Sequence, residues 1–178
     1  MNIVRQLFEL TLNRRLAEDV DYNANAALLI CSLFTIVYYF QISTITEFSS
    51  PIIYTFVLVC GHIIAYALLL KTHKKENRLV QTLTSYFGAN LILIIPIAVL
   101  APVKEFGLLI AVINIYSMVV SIRILKSSFS CPTYLAITIY FSVTIFSIIL
   151  LIILCPSAVD EYELYINNTL ATTQQTGN

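Results

Sequence analysis

Five apolar runs occupy approximately residues 24–46, 51–70, 82–102, 106–125 and 133–155, and each has about the length a helix needs to cross a bilayer. With 58% hydrophobic residues, 11% charged residues and a mean hydropathy of +0.85, the chain cannot hide its apolar surface in a water-soluble fold, which carries about a quarter charged residues. The expected fold class is therefore all-α: a polytopic membrane bundle of five transmembrane helices over residues 24–155. Residues 1–23 form a head containing a short amphipathic helix, and residues 156–178 an acidic to polar tail that is expected to be disordered at its end. The short connections leave no room for a soluble catalytic domain.

The basic residues fall in alternate gaps between the runs. Arg5, Arg14 and Arg15 lie in the head, Lys71, Lys74, Lys75 and Arg78 in the second connection, and Arg123 and Lys126 near the fourth, so nine of the ten Lys and Arg share one side. Only Lys104 falls on the other. Short loops rich in Lys and Arg stay in the cytoplasm, so the N-terminus is expected inside and the C-terminus outside. The first run is read as a retained helix, because it starts late, is long enough to span and shows no small-residue cleavage pattern.

In the head, residues 3–17 place Ile3, Val4, Leu7, Phe8, Leu12 and Leu16 at helical spacing beside Arg5, Glu9 and Arg14. Such a helix can lie among lipid headgroups, or it can be solvated and packed on the loops. Asn23 or Asn25 is placed to cap the first crossing. Cys31, Cys60, Cys131 and Cys155 are scattered with no paired spacing and read as isolated packing thiols.

Uncharged polar residues mark faces within the runs. Gln81, Ser85 and Gly88 fall on one face of the third crossing, Asn114, Ser117 and Ser121 on one face of the fourth, and Thr138, Ser142, Thr144 and Ser147 along the fifth. Small and hydroxylated residues allow close approach and interhelical hydrogen bonds, so these three helices are expected to touch through them. Pro96 is expected to kink the third crossing. His62, eleven residues into the second, lies roughly 16 Å deep, near the bilayer centre.

Several chemistries are disfavoured. None of the ten acidic residues lies deep in a run, whereas ion-coupled carriers place carboxylates or paired charges there. Arg123 is close enough to its helix end to snorkel to the interface. A haem held between helices needs paired axial ligands, and His62 has no second intramembrane His. There is no Gly-x-Ser-x-Gly elbow, phosphate loop, zinc-helix motif or Cys-x-x-Cys pair, so the chain reads as no enzyme and with no cofactor or metal. Asn167, Asn168 and Thr169 make a formal glycosylation acceptor in the tail.

Five crossings, an inside N-terminus, an outside C-terminus and the segment Arg78, Gln81, Thr82, Leu83, Thr84, Gly88 followed by Pro96 resemble the small Yip1-like inner-membrane proteins of bacteria, over roughly residues 24–155. The Tyr-Gly-Pro sequence of the eukaryotic Yip1 proteins is absent. The resemblance implies a multi-pass protein of the bacterial inner membrane and carries over no catalytic residue.

Together these features predict first a non-enzymatic scaffold or accessory subunit. Its basic anchor, Lys71, Lys74, Lys75 and Arg78, would contact lipid headgroups or partner membrane proteins, including copies of itself, and no nucleic acid. The alternative is a small transporter or channel-like protein with His62, Asn90, Asn114 and Ser117 lining the path. A third reading is a haem- or quinone-associated membrane subunit.

Overall fold

A computed structural model describes residues 3–21, 23–45, 50–157 and 160. Six α-helices and no strand occur among them: α1 (Ile3–Thr11), α2 (Ala24–Ile45), α3 (Pro51–Thr72), α4 (Leu79–Leu100), α5 (Gly107–Phe129) and α6 (Thr133–Leu154). Helices α2 to α6 are each long and apolar enough to span a membrane, which makes the chain an all-α, multi-pass bundle. The connection at 46–49, the glycosylation acceptor and the polar end of the tail lie outside the described residues.

The helix ends have local causes. Asn23 caps α2, its side-chain oxygen accepting from the Ala26 N–H at 3.0 Å, and Pro51 starts α3 where a missing N–H does no harm. Helix α4 runs through Pro96 as one helix and stops before Pro102. Helices α1, α3 and α5 all end on left-handed residues, Asn13, Lys74 and Ser130. At each, the following N–H reaches back five residues: Arg14 to Glu9, Lys75 to Leu70 and Cys131 to Lys126. This pairing closes the orphan carbonyls of a helix end. It also explains why α1 stops at Thr11 although the apolar spacing continues to Leu16.

All three of these caps lie at the same end of the bundle, which also carries nine of the ten Lys and Arg and is called here the basic end. The opposite end is the far end. The bundle pairs α2 with α4, α4 with α5, α5 with α6, α6 with α3 and α3 with α2, closing a ring across which α3 and α4 also meet. Helix α2 runs most extensively along α4, and α3 along α6, so the main partners are not hairpin neighbours.

Between helices in lipid there is little hydrophobic drive, and close backbone approach takes its place. On α3, Gly61 faces Ser147 of α6, and a Cβ on Gly61 would lie 3.0 Å from Ser147 Oγ and 3.1 Å from its Cα. Among the described residues, the Thr and Ser hydroxyls of α6 form no hydrogen bond to another helix. Thr138, Thr144 and Ser147 each bond the carbonyl four residues back, on Tyr134, Tyr140 and Val143. The expected polar contact of the fifth crossing with the third and fourth is thus replaced by small-residue packing on the second, because an intrahelical carbonyl is always within a hydroxyl's reach.

The Gln81, Ser85, Gly88 face of α4 receives the head instead of a spanning helix. Gln81 Nε2 donates to the carbonyls of Glu18 and Val20 (3.4 and 3.0 Å), Ser85 Oγ to that of Ala17 (3.4 Å), and Leu7 lies over Gly88, where a Cβ would meet its methyls at 2.6 Å. Gly88 is nine residues into α4, so Leu7 reaches roughly 14 Å past that helix's start. Gln6, Leu7, Leu10 and Thr11 are buried, Gln6 bonds Asp21, and Tyr116 Oη donates to the Thr11 carbonyl at 2.6 Å. Val4, Phe8 and Leu12 remain exposed along the opposite apolar stripe of α1. The helix is wedged into the bundle by one face and leaves the other exposed.

Candidate ligand cavity

The basic half of the bundle is filled. Tyr66, Leu70, Phe87, Val120, Ile124, Leu125 and Val143 are each no more than 1% exposed. Beyond this plug, toward the far end, the helices part around a cavity of about 280 Å³.

Four helices line it. Helix α2 gives Phe34, Tyr38 and Gln41; α3 gives Leu58, Val59 and His62; α4 gives Tyr86, Phe87, Asn90, Ile94 and Ile97; α5 gives Asn114 and Ser117. His62 and Asn90 each lie eleven residues into their helices and Ser117 ten, roughly 15 to 16 Å, whereas Gln41 is only four residues, about 6 Å, from the last residue of α2. The cavity therefore extends from the middle of the bundle toward its far end. No charged residue lines it among the described residues.

The floor is aromatic. Phe34 packs on Phe87 with ring centroids 5.1 Å apart, Tyr86 meets Phe87 edge-on at 5.4 Å and Tyr66 at 4.9 Å, and the His62 ring stacks on Tyr86 at 6.1 Å with 27° between planes. Such pairs hold ring orientation as well as burying area. They fix the imidazole against the floor.

All four intramembrane residues singled out from the sequence, His62, Asn90, Asn114 and Ser117, line this one cavity. Their chemistry divides them in two. Asn90 Nδ2 donates to the Tyr86 carbonyl (2.8 Å) and to Ser121 Oγ (3.1 Å), and Ser117 Oγ donates to Asn90 Oδ1 (2.5 Å). This network joins α4 to α5 and uses both amide hydrogens of Asn90. Asn90 and Ser117 shape the wall.

His62 and Asn114 are different. His62 Nδ1 lies 2.9 Å from the Leu58 carbonyl, and since a carbonyl only accepts, Nδ1 carries the hydrogen. In the neutral ring Nε2 is then a lone-pair acceptor, and it has no partner among the described residues. Asn114, exposed and seven residues into α5, makes no hydrogen bond among them either. An acceptor and an amide are thus available to a ligand.

The basic anchor is divided in the same way. Lys75 Nζ donates to the Phe129 carbonyl, and Arg78 Nη1 to the carbonyls of Ser127 (3.1 Å) and Ser128 (3.2 Å) and to Ser130 Oγ (2.9 Å). Arg78 also lies 3.4 Å from Glu18 Oε2. Both cations cap the C-terminal end of α5, where its carbonyls concentrate negative potential, and Arg78 ties the head to the same point. Lys71 and Lys74 stay exposed.

The aromatic lining had no usable signal in the sequence. The chain contains 21 Phe and Tyr residues, and helical periodicity does not tell those that face a cavity from those that face lipid. No protein family, curated protein or solved structure matches this chain. All four cysteines are free thiols, and no group of three His, Cys, Asp or Glu able to hold a metal occurs among the described residues.

Proposed function

We propose that this protein binds a small uncharged molecule in the cavity between α2, α3, α4 and α5, as a transporter or receptor-like membrane protein in which the filled basic half closes one side. The observation that carries the reading is the convergence of His62 Nε2 and the Asn114 amide, both without hydrogen-bond partners among the described residues, on one aromatic-floored cavity. Small-molecule sites combine an apolar wall with a few polar groups in this way.

The chemistry of the wall limits the ligand. With no charge in the lining among the described residues, an ion would lose its hydration uncompensated. At about 30 Å³ per water-sized group, 280 Å³ holds roughly nine non-hydrogen atoms, the size of one substituted ring. The acceptor on His62 favours a molecule with an O–H or N–H, and the aromatic floor favours a planar one. The favoured class is a single-ring phenol, aromatic amide or similar heterocycle. A haem is favoured less, since the lining offers one imidazole and no methionine.

This reading prefers the transporter-like alternative to the accessory scaffold, whose main support is a lack of catalytic groups. A Yip1-like relationship and an inner-membrane location with the far end outside remain part of the proposal, supported by the charge partition and the Arg78 to Pro96 segment.

Fluorine NMR on the protein in lipid nanodiscs, with 4-fluorophenol as ligand and empty nanodiscs as reference, tests it. Saturable binding is expected, weakened about tenfold in His62→Leu and in Asn114→Leu, because a lost hydrogen bond to a desolvated group is worth about 1 to 3 kcal/mol. If 4-fluorophenol, fluorobenzene and a neutral fluorinated aliphatic amide all partition as they do into empty nanodiscs, the cavity is no ligand site.

A further inference from the structure

We propose that a groove at the basic end, beside Arg123 and Lys126, is a binding site for the headgroup of an anionic phospholipid. Of the basic residues near the membrane, Lys75 and Arg78 are used inside the protein and Arg5 pairs with Glu9 at 2.8 Å. Arg123 and Lys126 make no hydrogen bond or ion pair among the described residues. They stand at i and i+3 on α5, which puts both on one face.

That face borders a groove of about 650 Å³ between the head turn at Asn13 and Leu16, the end of α5 and the start of α6 at Thr133. Ser127 and Ser130 extend the same stripe with two hydroxyls. The one carboxylate in the groove, Glu18, is already paired with Arg78, so the groove keeps two uncompensated positive charges.

The geometry along the helix selects an amphiphile. Arg123 lies six residues before the end of α5, roughly 9 Å inside it, close enough for its long side chain to reach the interface. Directly below it on the same face, toward the far end, are Val119, Ile115 and Val112, at 45, 62 and 55% exposure, with Leu12 and Leu16 of the head exposed alongside. A phosphate held by the two cations would leave its acyl chains on this apolar track. Free phosphate would use the cations alone, and the track points to the lipid.

The test is native mass spectrometry of the purified full chain in neutral detergent, titrated with phosphatidylglycerol or phosphatidylcholine. Phosphatidylglycerol is expected to bind at least tenfold more tightly. The Arg123→Gln/Lys126→Gln variant should bring the two lipids level, whereas Lys71→Gln/Lys74→Gln should leave the preference intact. Equal retention of both lipids by the wild type overturns the proposal, as does a preference that disappears with Lys71 and Lys74. Displacement of the lipid by millimolar inorganic phosphate would assign the groove to a soluble anion and overturn it too. Lys126→Gln alone, at an exposed position, gives a partial loss that needs no change at the half-buried Arg123.

Discussion

At the basic end Lys75, Arg78 and Gln81 are bonded across segments of the protein; in the cavity toward the far end two polar groups are left open among the described residues. Arg78, Lys75 and Gln81 each hold a carbonyl from a separate segment, and Gln6 holds the Asp21 carboxylate within the head, so the head, α4 and α5 are stapled together. Toward the far end, the Asn90, Ser117, Ser121 network and the Tyr54–Ser157 hydroxyl pair (3.2 Å) are of this kind, while His62 Nε2 and Asn114 hold nothing among the described residues. Residue types that look equivalent along the sequence therefore do opposite work. A polar group tied to another segment fixes the fold, and one facing a cavity with its valences open is available for function.

The contrast predicts a graded set of effects. The largest belongs to the head wedge: Gly88→Leu should destabilise by about 3 kcal/mol, since even a Cβ there meets Leu7 and overpacking a tight contact costs about 1 to 3 kcal/mol. Thermal melting and tryptic release of the head at Arg14 and Arg15 would record it. Leu7→Ala in the same chain should recover part of the loss, and if Gly88→Leu melts like wild type the head is not seated on α4.

Next is Arg78→Ala. It removes the donor to three oxygens at the end of α5 and the partner of Glu18, and should cost about 2 kcal/mol, in the range for charged hydrogen bonds. Lys71→Ala, which makes no such bond, should leave the melting temperature unchanged.

Smaller still is the difference within the cavity wall. Asn90→Leu should lower stability by about 1 kcal/mol, typical of interhelical hydrogen bonds in membranes. Asn114→Leu should be neutral or slightly stabilising, because no protein bond is lost. Were Asn114→Leu the more damaging of the two, its amide would be structural and the division of the wall wrong.

The mildest effect is on reactivity. Burial pushes the Cys131 thiol up, and the nearby Lys75 ammonium offsets only part of this. Because the thiolate is the reacting form, maleimide labelling of Cys131 should be slow at neutral pH and keep rising beyond the ordinary thiol value near 8.5. Lys75→Met should slow labelling further at pH 8. With an impermeant reagent, the side from which Cys131 is labelled also reports which face the basic end occupies.

Much of the architecture is legible in the sequence because its causes are local. The apolar run lengths place five spans within a few residues, and Pro51 and Asn23 mark starts that the helices use. Helix α5 runs to Phe129, four residues beyond the expected end, because Lys75 and Arg78 arrive from another segment to satisfy its last carbonyls. The amphipathic pattern of the head is equally plain, yet its shortening to Thr11 depends on the left-handed turn at Asn13. Of the cavity, the four polar members can be read from their isolation in apolar runs, and their aromatic setting cannot.

The sequence by itself determined the number and limits of the crossings, the gathering of charge at one end and the rarity of polar groups within the spans, since each follows from the cost of polar groups in hydrocarbon. Which helix meets which was decided only in three dimensions. Apart from short polar stripes, each span is apolar on every side, and those stripes do not say which helix covers them. Close packing of Gly61 on Ser147 and of Leu7 on Gly88, and the bonds made by Arg78 and Asn90, choose the partners. Those choices leave His62 Nε2 and Asn114 facing one cavity, and Arg123 and Lys126 facing one groove, without hydrogen-bond partners among the described residues.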